Sequence, residues 1–409
     1  MQGYAPAPRM PSWKRTLAIM VGAQFSSSLG FSVIYPFLPL YVARLGSISG
    51  LSVETLSGLV YAAPGLTMFV ASPLWGVVAD RYGRKLMVLR AMLSGGLMFL
   101  LMGFVVNAEQ LIALRALQGM VTGVIAAASA LVVSVTPREH IGYAMGWLQV
   151  GLWTGHAAGP VLGGLLSDLA GYRVIFVVTA VMLLVSAASV WLGVHDPFVR
   201  EAGSARARAG ILQDWRRMLA NSRLTATLGL RFLTSLGRTT IGPILPLYAL
   251  QLMRTPTRIG TVTGLITGVE SAASTVTSVY LGKLGDRIGH GRVALASALL
   301  TALFYVPQGY VTDVWQLLIL HTLSGFGVGG LIPSLSALLA QHSRVGDEGS
   351  IYGMENSVMA AARSIAPLLA SACALWFSLG GVFLLTAAVF AAVALLASLT
   401  VCRADAPSA

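Results

Sequence analysis

Charge is what this chain has least of. Only 10% of its 409 residues are charged, while 56% are hydrophobic. Average soluble domains carry about 25% charged residues. A soluble protein of this length could not cover its surface with so few, so the solvent for most of the chain is lipid. Cysteine is nearly missing too. Cys373 and Cys402 are the two present; they are too few and too badly placed for a disulfide framework, and read as small apolar residues in or beside helices. No His/Cys cluster has metal-ligand spacing, so neither a metal nor a cofactor is expected. No G-x-x-x-x-G-K-[ST] stretch exists, which argues against an ATP-driven pump. No nucleophile–base constellation argues for an enzyme. The N-terminus does not read as a cleaved signal peptide: Lys14 and Arg15 precede an apolar run longer than an h-region, with Pro36 and Pro39 inside it and no clear cleavage site.

What is present is apolar length. A membrane-spanning helix needs roughly 20 apolar residues, and twelve such runs can be read: 16–42, 55–75, 86–106, 110–135, 142–168, 173–194, 223–250, 259–281, 293–311, 314–341, 350–377 and 379–401. They are too long and continuous for barrel strands, and buried backbone must bond internally. The fold class is therefore an all-α membrane protein of twelve spans. A polar connection, 195–222, follows the sixth run and contains EAGSARARAG, which reads as a flexible or surface-lying linker.

The chain is also doubled. SLGFSVIYPFLPLY at 28–41 returns as SLGRTTIGPILPLY at 235–248. GVVADRYGRK at 76–85 returns as GKLGDRIGHG at 282–291, and RALQGMVTG at 115–123 as HTLSGFGVG at 321–329. Internal duplication of membrane segments marks secondary transporters. The expected division is a bundle over 1–194, a cytoplasmic linker over 195–222 and a second bundle over 223–409.

Basic residues set orientation. With both termini inside, 18 of the 27 Lys and Arg fall on the cytoplasmic side and 4 on the outer side, with the remaining five inside spans. This bias accounts for the net charge of +12 without a nucleic-acid partner. The expected location is a cell membrane, with the lipid bilayer as partner and both termini cytoplasmic.

Between spans two and three, Gly76 permits close helix approach and Gly83 a tight turn. Asp80 is flanked by Arg81, Arg84 and Lys85, and Asp286 and Arg287 repeat the spacing in the second half. In span five, Gly151, Gly155, Gly159 and Gly163 recur every four residues and form one smooth face, with Pro160 able to bend the helix and Gly164 adjoining. Span eight carries Gly260, Gly264, Gly268 and Ala272. Two such faces predict close contact between spans five and eight.

These residues carry a family resemblance. G-x-x-x-D-R-x-G-R-K at 76–85 resembles the signature of the major facilitator superfamily. LRALQGMVTG in span four resembles the R-x-x-Q-G element of its drug/proton antiporters, and GHAAGPVLGG at 155–164 resembles their span-five antiporter motif. The likeness covers the whole chain and is strongest to bacterial twelve-span multidrug efflux proteins of the kind linked to fosfomycin and deoxycholate resistance. It implies a central cavity, alternating access by rocking of two six-helix halves, and export of small amphipathic compounds against protons. A symporting or uniporting importer, and a sensor without transport, are the rival readings. The resemblance also implies gating at Gly76, Asp80, Arg81, Gly83, Arg84, Lys85, Asp286 and Arg287, and proton handling at Arg115.

Intramembrane charges are functional candidates by default. Glu270 is the leading proton carrier, balanced between desolvation and an arginine such as Arg238 or Arg363; a permanent Glu–Arg pair is the alternative. Glu355 is second, and His156 can titrate near neutrality. Span one contains no Asp or Glu, unlike several antiporters of the family, which leaves the proton route open. Phe31, Tyr35, Tyr61, Trp147, Trp153, Tyr248 and Phe326, with Arg238 and Arg363, are the expected cavity lining; aromatic walls suit amphipathic ligands. The excess of arginine over acid there points to anionic or zwitterionic substrates.

Overall fold

The computed structural model describes residues 13–194, 221–253, 258–342 and 348–400. The linker expected at 195–222 lies almost wholly outside the described residues, as does Cys402.

The described residues form helices joined by short turns, and they make twelve spans. Span one is Trp13–Val33 continued by Leu38–Leu45. Spans two and three are Val53–Tyr82 and Arg84–Met102. Span four is Ala108–Val121 continued by Val124–Val135. Spans five and six are Ile141–Ala170 and Tyr172–Gly193. Span seven is Ser222–Thr240 continued by Leu245–Leu252. Spans eight to twelve are Ile259–Ile288, His290–Gln308, Val314–His342, Glu348–Trp376 and Gly381–Thr400. Seven helices singly reach the length and apolarity of a full crossing; others are interrupted or diluted by polar and glycine residues. An even number of crossings puts Trp13 and Thr400 on one side, here the terminal end; the opposite side is the far end.

The sequence repeat is also a structural one. Span one breaks at 34–37, around Pro36, and span seven at 241–244, around Pro243. Each break follows from proline, which removes a backbone donor and crowds the preceding turn. Tyr41, just past the first break, donates to the Met102 carbonyl (3.3 Å). Tyr248, just past the second, donates to the Gln308 carbonyl (3.2 Å). The Tyr41 ring lies 5.3 Å from Phe176 at 45°, and the Tyr248 ring 5.0 Å from Phe383 at 44°. Phe99 and Tyr305 complete the two aromatic cores, each with its centroid 6.5 Å from the same phenylalanine.

Span four departs from its counterpart. It breaks at Thr122 and Gly123, where Gly123 has φ 130°, whereas span ten runs unbroken through the matching position. Three side chains satisfy the carbonyls freed by the break. Trp75 Nε1 donates to Met120, Ser94 Oγ to Val121 (3.0 Å) and Arg90 Nη2 to Thr122 (3.4 Å). The Arg90 guanidinium also lies over the Trp75 ring, 3.4 Å from its centroid, a favourable cation–π geometry.

Candidate functional site

Glycine positions decide how the halves meet. On span eight, a Cβ at Gly264 would overlap the Pro160 carbonyl, one at Gly268 the Val161 side chain, and one at Gly260 the Ser167 hydroxyl. On span five, a Cβ at Gly164 would overlap the Gly260 carbonyl. Spans five and eight are therefore packed backbone to backbone, as small-residue faces permit. The four-residue stripe on span five does not make this contact. Gly151, Gly155, Gly159 and Gly163 face span one instead, where side chains would overlap Val21, Phe25, Ser32 and Val33. Ser32 Oγ donates across that contact to the Gly155 carbonyl (3.0 Å). The stripe holds span five within its own half, while Pro160 and Gly164, further around the helix, meet the other half. Pro160 lies inside an unbroken helix.

The second seam joins spans two and eleven and mirrors the first. A Cβ at Gly58 would lie 2.8 Å from the Pro367 carbonyl, and one at Gly65 would strike Ser364. Ser371 Oγ donates to the Glu54 carbonyl (2.6 Å). Two seams, five against eight and eleven against two, are what a pseudo-twofold axis between the halves requires.

Both seams close near the far end. Following the span-five and span-eight faces toward the terminal end, Trp153 and Val150 on one and Thr275 and Val279 on the other are exposed. The central space is thus shut at the far end and open toward the termini.

Around its midplane stand the intramembrane charges. Arg115 is buried; its Nε donates to the Val60 carbonyl (3.2 Å) and its Nη1 to Gln118 Oε1 (2.8 Å). Tyr35 lies within electrostatic range of Arg115, and the Tyr61 hydroxyl donates to the Tyr35 carbonyl (2.6 Å). Gly119 lets span four sit on the Pro64 backbone, where Thr67 Oγ1 donates to the Ala116 carbonyl (2.6 Å). The R-x-x-Q-G spacing thus pairs Arg115 with Gln118 one turn on and clears the approach to span two. Arg238 and Arg363 are exposed, and no ion pair holds either among the described residues. They act through space on each other and on His156 of the opposite half. His156 Nδ1 is 3.0 Å from the Leu152 carbonyl.

Glu270 is partly buried beside Gly325 of span ten, with Ser271 Oγ donating to it (3.3 Å) and Arg238 in electrostatic range. It faces the interior of its own half, away from the span-five seam. The permanent acid–arginine pair forms elsewhere: Glu355 pairs with Arg231, and Arg231 Nη2 also donates to Ser336 Oγ (2.8 Å). This buried pair ties spans seven, ten and eleven. Arg231 was not among the candidate site residues; its partner Glu355 lies in a different span, and nothing local to Arg231 in the sequence points to that pair. His321, at the Arg115 position of the second half, is buried with Nδ1 2.9 Å from Gln308 Oε1.

The expected lining residues divide. Tyr35, Tyr61 and Phe326 are exposed or half-buried, and a Cβ at Gly242 of span seven would lie 3.1 Å from the Tyr61 ring. Trp153 lies on the open part of the seam face. Tyr248 is buried in the second core and Phe31 packs against Phe99 (5.3 Å), so neither faces the central space. Trp147 lines a groove of about 610 Å³ at the terminal ends of spans one and five, with Trp13, His140 and Tyr143.

In the loop after span two, Gly76, Asp80 and Arg81 lie within the helix, but their side chains lie outside the described residues. Gly83 takes φ 92° and starts span three, as Gly289 does at φ 97° for span nine. Arg84 donates to the Ala130 carbonyl (3.2 Å) and Lys85 to that of Trp191 (2.7 Å). Asp286 lies 3.3 Å from His290 Nε2, and Arg287 is exposed.

Comparison with known proteins agrees with this architecture. The family model described as Major Facilitator Superfamily matches residues 20–230 and again 227–408. A multidrug resistance protein MdtG from Serratia proteamaculans is 36% identical over 94% of this chain and 93% of its own. The solved nucleoside transporter NupG superposes with a TM-score of 0.77 at 12% identity, over 94% of this chain and 100% of that one. A bacterial homologue of the human lysosomal transporter Spinster superposes with a TM-score of 0.77 at 11% identity, over the full length of both. With two copies of the family unit, twelve spans and two mirrored seams, the chain belongs to the major facilitator superfamily and is a multi-pass membrane transporter, not an enzyme.

Proposed function

We propose that this transporter exports small amphipathic compounds, anionic or zwitterionic ones foremost, in exchange for protons. Multidrug-type export follows from the extended similarity to proteins named for multidrug resistance. The substrate class rests chiefly on one observation: Arg238 and Arg363 stand exposed at the midplane with no ion-pair partner among the described residues. An uncompensated charge inside a membrane is expensive, and an anionic group between the two arginines would offset that cost. Tyr35, Tyr61 and Phe326 supply aromatic surface for the apolar part of such a ligand.

Glu270 is the proton carrier in this reading. It lies in the field of Arg238; exchange requires the substrate to favour release of the Glu270 proton, as a cationic group of a zwitterionic ligand beside the Glu270 carboxylate would while the anionic group meets Arg238. In the first half, Arg115 lies in the outer part of span four and His156 near the middle of span five. Alternating access moves the halves, 1–194 and 223–409, as units joined by a cytoplasmic linker. The terminal end faces the cytoplasm of a monomeric inner- or plasma-membrane protein, in line with the basic bias of that side.

The test uses inverted membrane vesicles with an imposed proton gradient. Uptake of an anionic amphiphile that stops when the gradient is collapsed is the expected result. Uptake that persists without a gradient would refute proton exchange. Glu270→Gln should abolish gradient-driven accumulation and keep binding, and Arg238→Gln should weaken binding of anions more than that of neutral compounds.

A further inference from the structure

At the far end a carboxylate bridges the halves, a contact that the doubled plan of the fold does not account for. Asp168, in the last turn of span five, reaches across to the first turn of span eight. The Gly260 N–H donates to its Oδ1 (3.1 Å), and the Thr261 N–H and Thr261 Oγ1 both donate to its Oδ2 (2.6 Å each). Gly260 is needed for this reach, since a Cβ there would lie 2.9 Å from Oδ1. The residue before the helix is Arg258, which has φ 60°, the one positive φ outside glycine among the described residues. Such strain persists only where surrounding contacts compensate for it, and it lies immediately ahead of the two donating amides.

The repeat supplies an internal control. The seam between spans two and eleven has Leu375 where the first has Asp168, and there, among the described residues, the far end is joined by a neutral bond from Ser371 to the Glu54 carbonyl. Hydrogen bonds to a carboxylate are roughly twice as strong as neutral ones. The halves cannot part at the far end without breaking all three bonds at once. We propose that Asp168 is the latch of the far end and sets how often the transporter opens there. This rests on the alternating movement of the halves but on neither the substrate class nor proton exchange.

The test is a distance measured on the full chain in nanodiscs without substrate. Spin labels at Ile48 and Tyr310, exposed far-end positions in opposite halves (79% and 71%), report opening by double electron–electron resonance, on a background with Cys373 and Cys402 replaced by serine. Asp168→Ala should raise the long-distance population about tenfold or more. Asp168→Asn, whose amide turns a donor toward donors, should act the same way. Thr261→Val, the mildest change, should shift the population in the same direction by less. Glu139→Gln, an exposed change at the terminal end remote from both labels, should leave it unchanged. Distributions for both Asp168 variants and Thr261→Val that match the parent would overturn the proposal. Because the readout is a distance without ligand, failure of the exchange reading would leave it intact, and the converse also holds.

Discussion

The carbonyl of Pro160 occupies the place where a side chain on Gly264 would have to go. The matching pair in the other seam, Pro367 and Gly58, is similarly tight at 2.8 Å. A methyl group at either glycine meets backbone that cannot rotate away. Overpacking costs about 1–3 kcal/mol, enough to depopulate the far-end-closed state about tenfold. Gly264→Val and Gly58→Val should therefore each reduce vesicle transport by about that factor or more while the protein remains folded. Gly268→Ala should be better tolerated, because its methyl meets only the tip of Val161. Full transport by Gly264→Val would show that the seam need not close.

Glu355 and Arg231 form a buried pair with exposures of 6% and 10% for their side chains. Removing one partner leaves an uncompensated buried charge, costing about 3–5 kcal/mol. Glu355→Gln should lower stability against denaturant by that order, and the double replacement Arg231→Met with Glu355→Leu should recover most of it. A Glu355→Gln variant of normal stability that has lost proton coupling would instead make Glu355 a carrier.

Glu109 clasps the far-end loop between spans one and two. Ser47 Oγ, the Ile48 and Ser49 amides and Ser49 Oγ all donate to its Oε1, at 2.7 to 3.1 Å. These bonds, the Ser49 amide foremost, hold its pKa down to about 2, because they favour the charged form. A depressed carboxylate contributes its stabilisation fully above its unfolded pKa and loses it as pH falls through the folded value. The clasp should thus weaken between about pH 4 and pH 2. Carboxyl carbon NMR of Glu109 should titrate near 2, and a midpoint near 4 would contradict the clasp.

Arg115 uses two separate nitrogens to hold Val60 and Gln118. Lysine offers a single compact ammonium and cannot reproduce that fork. Arg115→Lys should keep the charge yet cut transport by about tenfold, from loss of a charge-assisted bond. Wild-type transport in that variant would reduce the role of Arg115 to its charge alone.

Much of this was legible in the sequence, for identifiable reasons. The spans follow from apolar length, and the twin breaks from Pro36 and Pro243 at matching positions of the repeat. Contact between spans five and eight was foreseeable from glycine spacing, but the stripe at 151–163 turned toward span one. Periodicity fixes which residues share a face and leaves open which neighbour that face meets. The break at Thr122 and Gly123 had no proline to announce it; Trp75, Ser94 and Arg90 make it possible from other spans. Arg231 and Glu355 are far apart in sequence, and nothing local to either names the other. Nothing local to Asp168 marks its role, because its partners lie on the other half.

Rocking of the halves about the two seams is tested most directly by distances at both ends of one sample. One label pair at Ile48 and Tyr310 reads the far end, and another at Leu192 and Leu399, both exposed, reads the terminal end. On adding a transported anion under a proton gradient, the account predicts that the far-end distance lengthens as the terminal-end distance shortens. Distances that stay fixed, or that lengthen together at both ends, would contradict it.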